Sequence, residues 1–172
     1  GRTVFGPVSS SVNAMLILIG DNSNLVLDPD IDSFYLVNTL VLTLPNLAED
    51  LGQLWGWGTF ALARSGLSAA EEKRYAVWAA GVANGVAQSR SYLQRAFTVN
   101  QALPARLDMA VWDDVGAFQN LAKESQALVS QKDLTPAQYF DKGEAAMLRL
   151  QSFYDKGLPA LDELLASRFD GM

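Results

Sequence analysis

Residues 68–101, SAAEEKRYAVWAAGVANGVAQSRSYLQRAFTVNQ, decide the fold. Ser68-Ala69-Ala70-Glu71 is a capping box: a serine hydroxyl accepts from the backbone three residues on, and the glutamate reaches back to the cap. From there Tyr75, Trp78, Val82, Val86, Leu93 and Phe97 follow at steps of three, four and seven. That is the period of one helix face. The pattern reaches Asn100 or Gln101 before Leu103-Pro104 ends it. About 33 residues at 1.5 Å rise give a helix of roughly 50 Å.

The chain on either side repeats this behaviour. Downstream, Leu107, Val111, Val115, Phe118, Leu121, Ser125 and Leu128 read as one further helix. Thr135-Pro136-Ala137-Gln138 is a second capping box with proline at the first helical position. The helix it opens presents Phe140, Met147, Leu150, Tyr154, Leu158, Leu161 and Leu165, with a bend or interruption expected at Pro159. Upstream, Val12, Met15, Leu16 and Ile19 have helical spacing, and Gly20-Asp21-Asn22-Ser23-Asn24 predicts a break before Asp28. Asp28-Pro29 then restarts a helix, with Asp28 as cap and Asp30 and Asp32 in the first turn. That helix runs through Tyr35, Leu36, Leu40 and Leu44. Apolar spacing continues beyond Pro45 to Leu47, Leu51 and Leu54, which predicts a kinked helix there and not a loop. Gly56, Gly58 and Gly66 are expected to weaken its end.

No segment alternates as a strand does. The predicted fold is therefore all-α: a single domain over residues 1–172, an antiparallel bundle of long, partly kinked helices joined by short connections. The small-residue patch Gly81-Val82-Ala83-Asn84-Gly85 is expected to pack closely inside that bundle.

Composition narrows the chemistry. The 172 residues are 49% hydrophobic, enough for one real core. Thirteen Lys and Arg stand against 19 Asp and Glu, a net charge of −6 with no basic stripe. Nucleic acid is not expected as a partner. There is no Cys, so disulfides, thiolate zinc sites and a cysteine nucleophile are excluded. There is no His, which removes the commonest general base and transition-metal ligand. Without a phosphate loop or nucleophile elbow either, neither enzymatic activity nor a cofactor is expected. Asp28, Asp30 and Asp32 have the spacing of a calcium loop, but Ser33 stands where the loop needs glycine and Thr39 where it needs glutamate. No metal is expected. The most apolar window, Leu36 to Leu44, is far shorter than the roughly 20 residues that span a bilayer.

The run Asp21-Asn22-Ser23-Asn24-Leu25-Val26-Leu27-Asp28-Pro29-Asp30-Ile31-Asp32-Ser33-Phe34-Tyr35-Leu36 carries more than a helix start. With Leu44-Pro45 and Leu51-Gly52-Gln53 after it, it resembles a segment of the extracytoplasmic sensor domains of bacterial transmembrane receptors. These are chiefly methyl-accepting chemotaxis receptors, with some sensor histidine kinases. The close match covers about a fifth of the chain. The resemblance implies a periplasmic ligand-sensing domain that passes a helix shift to a membrane helix. It implies an upstream helix and two flanking membrane helices outside this chain, and a homodimer in the full receptor. The partner it implies is a small molecule or a periplasmic binding protein, with the membrane met only through the flanking helices.

Two places gather polar and aromatic groups. The first is the turn Asn22, Asn24 and Asp28 with Tyr35 and Asn38, which offers donors and acceptors to a ligand or knits a structural turn. The second is Gln53, Trp55 and Trp57, where two indoles flanked by glycines can wall a pocket or fill a helix contact. In the resembling receptors an Arg commonly stands at the position of Trp55. An anionic ligand held by that fork is therefore not expected here. The two sites lie too far apart along one helix to form one pocket. The alternative from another class is a helical protein-interaction module, and an exposed apolar groove in place of a closed pocket would favour it. The paired carboxylates Asp113-Asp114 and Glu71-Glu72 are expected to diverge on solvated faces.

Overall fold

The computed structural model describes the backbone of residues 31–170 and the side chains of residues 31–167. The segment expected to carry the first helix, the Gly20 to Asp28 break and the Asp28 cap lies outside the described residues. Within them the protein is an all-α bundle.

The first rod is α1 (Ile31–Val37), a π-helical turn (Asn38–Thr43) and α2 (Leu44–Arg64) in unbroken succession. Proline has no N–H to continue an α-ladder, and its ring presses on the carbonyl four residues back. The rod meets this with the wider π-turn just before Pro45, where the Leu44 N–H donates to the Thr39 carbonyl, five residues back. Asn38 Nδ2 and Thr39 Oγ1 donate to the carbonyls of Phe34 (2.8 Å) and Tyr35 (2.9 Å) where α-helical pairing gives way. Pro45 thus stands inside a continuous helix, as the flanking apolar spacing requires. Gly56 and Gly58 do not end α2, which closes only at Ser65 in a left-handed conformation (φ 66°) followed by Gly66 (φ 148°).

The second rod is α3 (Ala69–Val99), opened by the full Ser68/Glu71 capping box. A 3-10 turn at Leu103–Ala105 leads to α4 (Ala110–Ala122) and the short α5 (Ser125–Val129). The single helix expected over Leu107 to Leu128 is corrected here: extended Glu124 divides it. The buried Tyr75 hydroxyl of α3 donates to the Ala122 carbonyl, an end group that the break leaves without a helical partner. The last rod is α6 (Pro136–Asp170), opened by Thr135 and Gln138 in reciprocal hydrogen bonds. Pro159 stands inside it without interrupting it.

The contacts between rods give their directions. Gly58 meets Tyr139, Gly143 meets Trp55, Gly52 meets Met147 and Gly157 meets Leu40, so α6 descends as the first rod rises. Gly81 meets Asp50, Gly85 meets Leu47 and Tyr35 meets Tyr92, so α3 also runs against the first rod. Arg90–Asp113 and Tyr75–Ala122 set α4 against α3, and Arg149–Asp114 and Trp112–Phe153 set α6 against α4. The result is an up-down-up-down arrangement of four rods around one leucine-rich core.

The small-residue patch packs as expected. A Cβ at Gly81 would collide with the Asp50 carboxylate, and one at Gly85 would approach Leu47 to 3.0 Å. One core assignment slips by a residue: Tyr139 is fully buried, and Phe140, expected inside, is 42% exposed.

Candidate functional site

Trp55 and Trp57 are two residues apart on α2, so they leave it on nearly opposite faces. Trp55 belongs to the seam with α6: its Nε1–H donates to the Phe140 carbonyl at 2.9 Å, and its ring lies 4.8 Å from that of Phe140. Gly143 gives it room, since a Cβ there would strike the indole. Of the two readings open for this pair, pocket wall or helix contact, Trp55 follows the second. Trp55 is a helix-contact residue.

Trp57 faces the other way, toward α3. It stacks on Trp78 with ring centroids 6.0 Å apart and an interplanar angle of 23°, and Phe60 meets it edge-on at 5.5 Å. Beside it runs an open groove of about 310 Å³ lined by Gln53, Gly56, Trp57 and Phe60. Gln53 and Trp57, two of the residues singled out in the sequence, are thus brought together, and Trp55 is not. Phe60 is 42% exposed and held by the Arg64 guanidinium 4.5 Å from its ring centre. Arg64 in turn pairs with Glu71 at the start of α3.

Asp50 lies one turn before Gln53 on the same side of α2, and sequence reading passed it over. Its half-buried carboxylate is tucked against Gly81 of α3. No hydrogen bond or ion pair from a described residue reaches it. Burial, and then the neighbouring Glu49, push its pKa above the ordinary 3.8. The clue available in the sequence was its spacing, three residues before Gln53 and seven before Trp57.

At the other end of the first rod, Asn22, Asn24 and Asp28 lie outside the described residues. Tyr35 is half-buried and stacks on Tyr92 (5.7 Å, 27°), with the Arg95 guanidinium 5.8 Å from its ring centre. Asn38 uses its amide on the Phe34 carbonyl within the π-turn. Asp32 links this end to the close of α3, accepting from Asn100 Nδ2 at 2.9 Å. The described ones among these residues join helices. A larger open hollow of about 690 Å³ lies elsewhere, over the α5–α6 connection, lined by Lys132 and Asp133 of the connection and by Lys142 of α6.

The deepest polar cluster is internal. Tyr139 donates to the Leu54 carbonyl at 2.7 Å, and the Tyr75 hydroxyl, which donates to the Ala122 carbonyl, lies near enough to influence its ionisation. Burial pushes Tyr75 up to about 12, and Tyr139 well above the usual phenol range. Both phenols are thus held neutral as structural donors. Asp113 and Asp114 diverge as expected, to Arg90 and Arg149 on different helices. No helix among the described residues is long and apolar enough to cross a membrane.

No family model, curated protein or solved structure matches the chain.

Proposed function

We propose that this chain is the extracytoplasmic sensing bundle of a bacterial transmembrane receptor, either a chemoreceptor or a sensor histidine kinase. The observation that carries this reading is the geometry of the two outer rods. Leu40 packs against Gly157, and Arg106 pairs with Glu163, so the described start of the first rod and the far part of α6 lie at one end of the bundle. Rod ends packed side by side let a shift of one be felt by the other. The resemblance of residues 21–53 to receptor sensor domains supports the same reading. A ligand or partner on the first rod and α3 acts by preferring one packing of the rods over another. Packed helices typically shift by about 1–2 Å in such transitions. A homodimer, and an upstream helix against the exposed Phe34 and Leu42, belong to this proposal.

The test is a graft. The chain replaces the sensing domain of a chemoreceptor between its two membrane helices, and kinase output is followed against amino acids, organic acids, amines and periplasmic extracts. A concentration-dependent change in output is expected. Constant output across all of them, from a correctly inserted and folded graft, would remove the proposal.

One observation favours a second reading, a helical protein-interaction module. The groove at Trp57 and Phe60 is open and aromatic, where a closed pocket would have spoken for a small ligand alone. Stoichiometric capture of a protein by the isolated chain, lost in Phe60→Ala, is the outcome that separates the two.

A further inference from the structure

The middle of the α2–α3 seam is built from small and uncharged residues. On α3 no residue from Tyr75 to Ser89 carries a charge, and on α2 none from Leu51 to Ala63 does. Gly81 and Gly85 let the two helices close on each other: Gly85 receives Leu47, and Gly81 receives Asp50. A carboxylate is an unusual filling for such a notch. The Asp50 Oδ2 stands where a side chain at residue 81 would begin, so the nearest group it meets there is a Cα–H. That is a weak partner for an anion.

The surroundings do not compensate the charge. Glu49 precedes Asp50 on α2, and a like charge makes ionisation harder. The next charge toward the end of α2 is Arg64, which is paired with Glu71. On α3, Lys73 and Arg74 stand about two turns from Gly81, toward the helix start. Arg90 is taken up by Asp113 of α4. Tyr75, the other titratable group on this stretch, gives its hydroxyl to the Ala122 carbonyl. Asp50 itself is only half-buried, so protons reach it from water. Its burial, ahead of Glu49, raises its pKa above 3.8. A protonated carboxyl needs less hydration and fits the notch more favourably than a carboxylate, which is drawn outward to water. The two protonation states therefore favour different depths of the same helix contact.

We propose that Asp50 and Gly81 form a proton-operated latch between α2 and α3, closed when the carboxyl is protonated and loosened when it is ionised. The folded pKa is raised, so the stability the latch contributes is fully present below the ordinary 3.8. It is lost as pH rises through the higher value of the folded protein. Trp57 stacks on Trp78 across the same seam, about two turns along α2 from Asp50, so movement of the latch reaches that pair. Packed helices typically answer such changes with shifts of about 1–2 Å. The latch needs no bound ligand and does not rest on the receptor reading.

The test is a pH titration of the whole chain with two readouts. Carboxyl carbon NMR follows Asp50, its signal assigned by its absence in Asp50→Asn. Near-UV circular dichroism follows the stacked Trp57–Trp78 pair. Asp50 is expected to titrate above 3.8, and the dichroism to change with the same midpoint. Asp50→Asn keeps the shape and removes the charge. It is expected to hold the closed signal at every pH and to melt above the wild type at neutral pH, with the two melting temperatures converging below pH 3.8. Gly81→Ala is expected to drive the carboxyl into water, return its titration toward 3.8 and remove the dichroism step. If Gly81→Ala does not fold, the carboxyl titration and Asp50→Asn still decide. Titration of Asp50 at or below 3.8, a dichroism step unchanged in Asp50→Asn, or equal stability of wild type and Asp50→Asn at neutral pH would each overturn the proposal.

Discussion

The hydroxyl of Tyr139 sits where the side chain of residue 58 would be, and only because residue 58 is glycine does it reach the Leu54 carbonyl at 2.7 Å. Gly58→Ala would raise helix propensity at an isolated position. Here it must push the tyrosine ring out of the α2–α6 seam, because both the hydroxyl and the ring carbon bearing it block the new methyl. The substitution is expected to lower stability by about 1–3 kcal/mol, read from urea unfolding. Tyr139→Phe in the Gly58→Ala background should not restore it, since the ring carbon still collides. A net gain in stability for Gly58→Ala would show that the seam is loose.

Tyr75 closes the end of α4 from another helix. Removing its hydroxyl leaves the buried Ala122 carbonyl short of a donor, and Tyr75→Phe is expected to cost about 1–3 kcal/mol. The two buried phenols also set an alkaline limit. Their folded pKa values are raised, so the stability they contribute is fully present below pH 10.0. It is lost as pH rises through about 12 for Tyr75 and further for Tyr139. Phenolate absorbance from these two should therefore appear only with unfolding. Ionisation of Tyr75 and Tyr139 near pH 10 in the folded protein would contradict the burial of this pair.

Glu71 sets the acid limit of the α3 start. The Ser68 backbone N–H, and then the Arg64 guanidinium, hold its carboxyl down at about 2, against an ordinary 4.5. A lowered carboxylate contributes stability that is fully present above pH 4.5 and is lost as pH falls toward 2. The difference in melting temperature between the wild type and Glu71→Gln should shrink across that window. Ser68→Ala, which removes the other half of the box, should cost about 0.5–2 kcal/mol at neutral pH.

Trp55 and Trp57 should separate in their effects. Trp55→Ala removes a ring packed on Phe140 and its hydrogen bond, and is expected to destabilise by about 3 kcal/mol. Trp57→Ala loses the stack on Trp78 at the edge of an open groove and should cost less in stability, while abolishing whatever binds there. Similar losses of stability in the two variants would argue against assigning structure to one and recognition to the other.

What the sequence determined by itself is local. Both capping boxes, the long apolar periods of α3 and α6 and the continuity across Pro45 follow from interactions within a few turns. Short-range chemistry decides those. What only the tertiary structure decided involves partners far along the chain. The break at Glu124 is closed by Tyr75, 47 residues earlier. The choice of Tyr139 over Phe140 as the core residue depends on Gly58 offering it a place. Gln53 and Trp57 were visible as candidates, but packing sent Trp55 to α6 and set Trp78 of α3 on Trp57, while Phe60 lines the groove from α2 itself. Asp50 drew no attention because an acidic residue on a helix reads as solvated. Its interest comes from the glycine of another helix that lets it in, a relation that spacing along one helix does not encode.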